Sequence, residues 1–84
     1  MNTKEVRVFE TPDVYLIAAI VFFLKIDPQY KIFNGKTFGC FTVSDDLYRV
    51  MSAYNAGAEV PAIQYAEIIK RIRAELITRR TQRS

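Results

Sequence analysis

The eleven residues Val14–Leu24 are apolar throughout, apart from the ring hydroxyl of Tyr15. A membrane span needs about 20 such residues, so the run reads as a buried element of a folded domain. Thr11-Pro12-Asp13 just ahead of it has the make-up of a helix start: a threonine cap, a proline at the first helical position and an acid near the positive end of the dipole. The pattern predicts a helix over residues 12 to 25. Its β-branched Val14, Ile17, Ile20 and Val21 would also suit a buried strand, but eleven residues behind a good cap favour helix. A helix apolar on all sides is either central or sandwiched between its own core and a partner. Upstream, Val6 and Val8 alternate with Arg7, which predicts a first strand over residues 5 to 9.

Asp27-Pro28 ends the helix, and Asn34-Gly35 follows, the dipeptide best suited to a tight turn whose two central residues both need positive φ. The turn predicts a hairpin over residues 29 to 33 and 36 to 43, with Ile32 opposite Thr37, Lys31 opposite Phe38 and Tyr30 opposite Gly39. That register puts Tyr30, Ile32, Phe41 and Val43 on a core face. Lys31, Phe33, Lys36, Phe38, Cys40 and Thr42 fall on the other. Ser44-Asp45-Asp46 caps a short helix over residues 45 to 54, carrying Leu47, Val50, Met51 and Tyr54 at helical spacing. Asn55 and Gly57 close it, and Pro61 opens a longer helix lined by Ala62, Tyr65, Ala66, Ile69, Ile72 and Leu76. The order β-α-β-β-α-α predicts an α+β fold: a small, mostly antiparallel three-stranded sheet with helices packed on one face.

With 84 residues, 50% hydrophobic and 13% aromatic, the chain forms a single domain, 1-84, with enough apolar material for a core. A domain this small buries only about 60 to 65% of its unfolded surface, which makes self-association expected. Charge changes the picture at one end. From residue 70 onward six cations stand against one carboxylate, a net +5, while residues 1–69 carry six cations against eight acids, a net −2. Lys70, Arg71, Arg73, Arg79, Arg80 and Arg83 therefore form a basic helix end, running into a tail from about residue 77, that could contact nucleic-acid phosphates or an acidic partner. The plainer reading is a solvated helix end whose cations offset the dipole.

Candidate chemistry is narrowed by what the chain lacks. Without histidine, the usual general base and every Ser/His or Cys/His pair are missing, and the three scattered glycines form no phosphate loop. The expectation is a protein that is not an enzyme and needs no metal or cofactor, with no small-molecule substrate identified. The single Cys40 excludes an intramolecular disulfide or a thiolate zinc site within one chain, and with no export signal in residues 1–10 it suggests a cytoplasmic protein with no membrane role. Lys31 and Lys36 share its predicted face and could lower its pKa, but a packed or passive thiol is the default. Asp45 and Asp46 could hold a hard cation, though their place behind a capping serine assigns them to the helix start.

On the outer hairpin face Lys31 sits opposite Phe38 and Phe33 opposite Lys36, a mixture of rings and cations that can bind single-stranded nucleic acid. Residues 36–43 echo the RNA-recognition strand motif at Lys36, Phe38 and Gly39, but Thr37, Cys40 and Val43 replace its glycine and aromatics. Cross-strand packing or a subunit interface accounts for the same residues.

Phe9-Glu10-Thr11 with Asp13, Tyr15-Leu16 and Ala18, a hairpin ending in Phe41-Thr42-Val43, Ser44 and Leu47 in a short helix, and a last helix from Pro61 with Tyr65 and residues 70–76 resemble a family of small bacterial and phage domains of unknown function. The resemblance spans residues 8–76 and rests on element order and apolar spacing. It implies the same fold order and a mobile-element setting, and carries no activity with it. The Asp27-Pro28 break and the charged end beyond Leu76 depart from the family pattern. Residue pattern and resemblance together predict a non-enzymatic interaction module, associated with nucleic acid through the basic helix end, or alternatively a homodimerising or partner-binding structural subunit.

Overall fold

The computed structural model describes residues 7–81, without the side chains of Arg80 and Thr81. Its elements are β1 (Val8–Thr11), α1 (Val14–Leu24), β2 (Gln29–Phe33), β3 (Lys36–Thr42), α2 (Asp45–Asn55) and α3 (Ala62–Thr81). The three strands form one open antiparallel sheet in the order β1-β3-β2, an α+β fold with the order the sequence predicts.

The hairpin forms as its turn dictates. Asn34 and Gly35 have φ of 53° and 74°, and the register runs from Phe33↔Lys36 through Ile32↔Thr37 and Tyr30↔Gly39 to Gln29↔Cys40. β1 pairs on the other side of β3, from Thr11↔Gly39 to Val8↔Thr42. It lies later than the predicted strand over residues 5 to 9, because pairing with β3 carries it through Thr11, where backbone hydrogen bonding outweighs the local alternation around Arg7. Residues 5 and 6 of that prediction lie outside the described residues.

The start of α1 is also corrected. Asp13, not Thr11, is the N-cap: its carboxylate accepts from the amides of Tyr15 and Leu16, while the Thr11 hydroxyl accepts from the Asp13 amide. Thr11 is needed as the last rung of β1, so the cap passes to the next residue able to accept. Lys25, with φ of 57°, ends α1 in the left-handed conformation. Ser44 caps α2 as predicted, its hydroxyl accepting from the Leu47 amide at 3.0 Å.

Ile17 through Val21 are buried in succession, as a helix apolar on all sides requires: α1 packs against α2, α3 and the inner face of the sheet. Ile17, Ile20, Leu47 and Ile72 are the largest of the fully buried side chains among the described residues, joined by Phe41 from β3. Ile17 lies so close over Gly39 that a Cβ there would stand 2.7 Å from the Ile17 Cδ1. α3 follows α1 and reaches β3 and β2. Its packing face differs in part from the predicted one, because Ile68 packs on the core whereas Ala62 and Ala66 are exposed where the helix overhangs its neighbours.

Candidate functional site

The cations of α3 do not form one open patch. Arg71 pairs with Asp27 at 3.8 Å, and Arg79 pairs with Glu75 at 3.1 Å while lying 4.6 Å from the centre of the Tyr30 ring. Arg73 goes to the opposite flank, where it donates to the Tyr15 hydroxyl at 3.2 Å and lies 5.7 Å from the centre of that ring. Positions 71, 73 and 79 are about 200° and 120° apart around a helix at 100° per residue, which is why they diverge. Their aliphatic stems and charges fasten α3 to α1 and to β2. Lys70 is exposed. Arg80 lies in α3 with its side chain undescribed, and Arg83 lies outside the described residues.

The outer face of the sheet does gather the four predicted hairpin residues. Lys31, Phe33 and Lys36 are exposed and Phe38 is half-buried, all on the side away from the helices. Val8, 52% exposed, extends this face on β1, and Phe33 is 58% exposed. The middle of the face is closed by an ion pair. Glu10 on β1 and Lys31 on β2 are separated by β3, and their side chains meet across it at 2.9 Å. Cys40, which pairs with Glu10 on one side and Gln29 on the other, lies beneath this strap and is buried although it faces away from the core. Burial and the Glu10 carboxylate raise its pKa, outweighing the Lys31 charge. The thiol is therefore protonated at neutral pH, so the nearby lysines do not activate it and it is a packed thiol, the default reading of the sequence.

A third group of polar residues gathers at the start of α1. Tyr65 donates its hydroxyl to the Tyr15 carbonyl at 2.6 Å, and Arg73 holds the Tyr15 hydroxyl. Burial raises the pKa of Tyr65, with further contributions from Tyr54, Asp13 and Tyr15; Tyr54 is raised by burial, then by Asp13 and Tyr15. These phenols are thus neutral hydrogen-bonding groups at physiological pH. Beside them, Asp13, Val14, Lys36, Thr37, Arg73 and Leu76 line a cavity of about 420 Å³. Thr37 is 6% exposed, and its hydroxyl has no hydrogen-bond partner among the described residues.

Of this third group only Arg73 and Lys36 stand out in the sequence. Tyr15 reads there as one apolar residue among eleven, and Thr37 as an ordinary strand position. The one available signal is Thr37 itself, a polar residue whose register places it on the helix-facing side of the sheet. Among the described residues no cluster of acids, cysteine or histidine is placed to hold a metal ion, and Asp46 instead pairs with Arg49 at 3.0 Å along α2. No helix in the described residues is long and apolar enough to cross a membrane. No protein-family model, curated protein or solved structure matches the chain.

Proposed function

We propose that the protein is a non-enzymatic interaction module whose contact surface is the outer face of the sheet and whose partner is a second copy of the chain. The supporting observation is the one-sidedness of the fold: helices cover the inner face, while Val8, Phe33 and Phe38 lie on the outer one. The charges on that face are self-complementary. A two-fold axis running along β3 lays β1 of one copy over β2 of the other, so that Glu10 faces Lys31 of the second copy and Phe38 meets its own counterpart. Strands about 4.8 Å apart and three in number make a small face, below the roughly 800 Å² per partner of standard interfaces, so the dimer is weak and reversible.

Lys31, Phe33, Lys36 and Phe38 sharing one open face favours a second reading, in which bases stack on the rings of this surface. Glu10 neutralises Lys31, leaving that platform with little net charge for phosphates, which is why self-association ranks first.

Sedimentation at rising protein concentration and two salt concentrations, with and without single- and double-stranded oligonucleotides, separates the two. A concentration-dependent dimer that persists at high salt and is lost in Phe33→Glu supports self-association. A chain that stays monomeric throughout overturns it. Salt-sensitive oligonucleotide binding lost in Lys31→Gln/Lys36→Gln supports the platform, and the same binding lost instead on truncation after Leu76 places it on the basic helix end.

A further inference from the structure

The cavity at the start of α1 has both polar and apolar walls. β1 leaves the sheet at Thr11, opposite Gly39, whereas β3 begins three residues earlier at Lys36. Antiparallel pairs alternate between hydrogen-bonded and open, and the Val43 amide donates to the Arg7 carbonyl, so the pairs 9↔41 and 11↔39 are also of the bonded kind. The same alternation turns the main-chain N–H and C=O of Thr37 toward β1, into the space that β1 has vacated. Thr37 lines the cavity there, 94% buried by its 6% exposure, with a hydroxyl that has no partner among the described residues. A buried hydroxyl left unpaired within the fold is costly, and a polar group entering the cavity would satisfy it.

The charges around Thr37 define that group. Lys36 forms no ion pair among the described residues, and Arg73 uses one nitrogen on the Tyr15 hydroxyl, leaving other guanidinium donors free to turn inward. Asp13, the one acid on the wall, has an oxygen committed to the amides of Tyr15 and Leu16. Among the described lining residues the charges sum to +1, which suits a monoanion, and Val14 and Leu76 offer it an apolar bed. The volume, about 420 Å³, falls in the range of small-ligand pockets.

We propose that this cavity binds a free carboxylate carried on a branched apolar group, held by Arg73 and Lys36 with the Thr37 hydroxyl donating to it. A small organic acid and the C-terminal residue of a polypeptide share this chemistry. The site shares Lys36 with the outer sheet face but does not need the protein to dimerise.

Amide chemical-shift titration of the full chain tests it, with 4-methylpentanoate, 4-methylpentanamide, and acetyl-Ala-Ala-Leu with a free or an amidated C-terminus as probes. Saturable shifts at Val14, Thr37 and Leu76 with the acids, absent with both amides, support the site. A response to 4-methylpentanoate alone assigns a small acid, and a response only to the peptide acid assigns a polypeptide C-terminus. Arg73→Gln should weaken binding about tenfold or more, with Arg73→Lys recovering part of it. Thr37→Val keeps the shape of the side chain and should also weaken the acid. Shifts that are equal for acids and amides, that spread evenly over the surface, or that survive Arg73→Gln would overturn the proposal, as would no shift at all.

Discussion

On its inner side the middle strand presents Thr37, Gly39 and Phe41 to the helices, all buried, while on the outer side the flanking strands carry Val8, Lys31 and Phe33, all exposed. Inside, close packing sets the tolerance: a single Cβ at Gly39 would meet the Ile17 Cδ1 at 2.7 Å. Outside, an ion pair reaching across the middle strand does the covering, and the residue beneath it is the small Cys40. The contrast places the close packing on one side of the sheet and the proposed self-association on the other. A substitution should therefore cost stability or association according to the side it touches.

The largest effect should come from the inner side's partner helices. Ile72→Ala removes a fully buried side chain from the core and should cost about 2 to 5 kcal/mol, read by urea denaturation. Gly39→Ala tests the close approach directly and should cost about 1 to 3 kcal/mol by overpacking. Ile17→Val, which removes the clashing Cδ1, should recover part of that loss in the double variant.

A smaller effect is expected where α3 meets α1. Because the Tyr65 pKa is raised in the fold above its ordinary value of 10.0, the neutral phenol favours the folded state below about pH 10, and that contribution is lost as pH rises through the raised value. Thermal melts between pH 8 and 11 should show an alkaline fall in stability that is shallower in Tyr65→Phe, which starts about 1 kcal/mol less stable for loss of the bond to the Tyr15 carbonyl.

On the outer side Glu10→Gln should cost at most about 1 kcal/mol, since the pair with Lys31 is partly exposed. Its clearer signature is chemical. Removing a carboxylate that raises the Cys40 pKa and helps to cover it should speed thiol labelling at pH 8, and an unchanged rate would show that the strap does not shield the sulfur. Phe33→Glu should be the mildest for stability, within about 0.5 kcal/mol, while abolishing the proposed self-association.

The parts of this fold written in local chemistry were legible in the sequence. Asn34-Gly35 determined the turn and the whole β2–β3 register, and Ser44 marked the start of α2, because each acts on its own neighbours. What depended on distant pairing was misplaced. β1 is shifted by its alignment with β3, and the α1 cap moved from Thr11 to Asp13 because the strand claimed Thr11 first. The four hairpin-face residues were found together, since register alone determines which side a strand residue faces. The basic residues of α3 were identified by composition but not by use: Arg79 with Glu75 is a local i,i+4 pair, but only tertiary structure shows that Arg71 and Arg73 turn to Asp27 and Tyr15 and that Arg79 lies over the Tyr30 ring. The unpaired hydroxyl of Thr37 depends on where β1 stops, which no local pattern encodes.

The strand order β1-β3-β2 also bears on time. β2 and β3 are joined by a two-residue turn and can zip within microseconds, whereas the β1–β3 pairs, from Thr11↔Gly39 to Val8↔Thr42, join residues 28 to 34 positions apart. Closing that loop costs entropy before any contact repays it, so β1 should dock last during folding and leave first in native fluctuations. Each departure uncovers one edge of the middle strand while the hairpin and helices hold. β1 of a neighbouring molecule could then take the place, giving this chain a route to exchanged-strand dimers that needs no global unfolding.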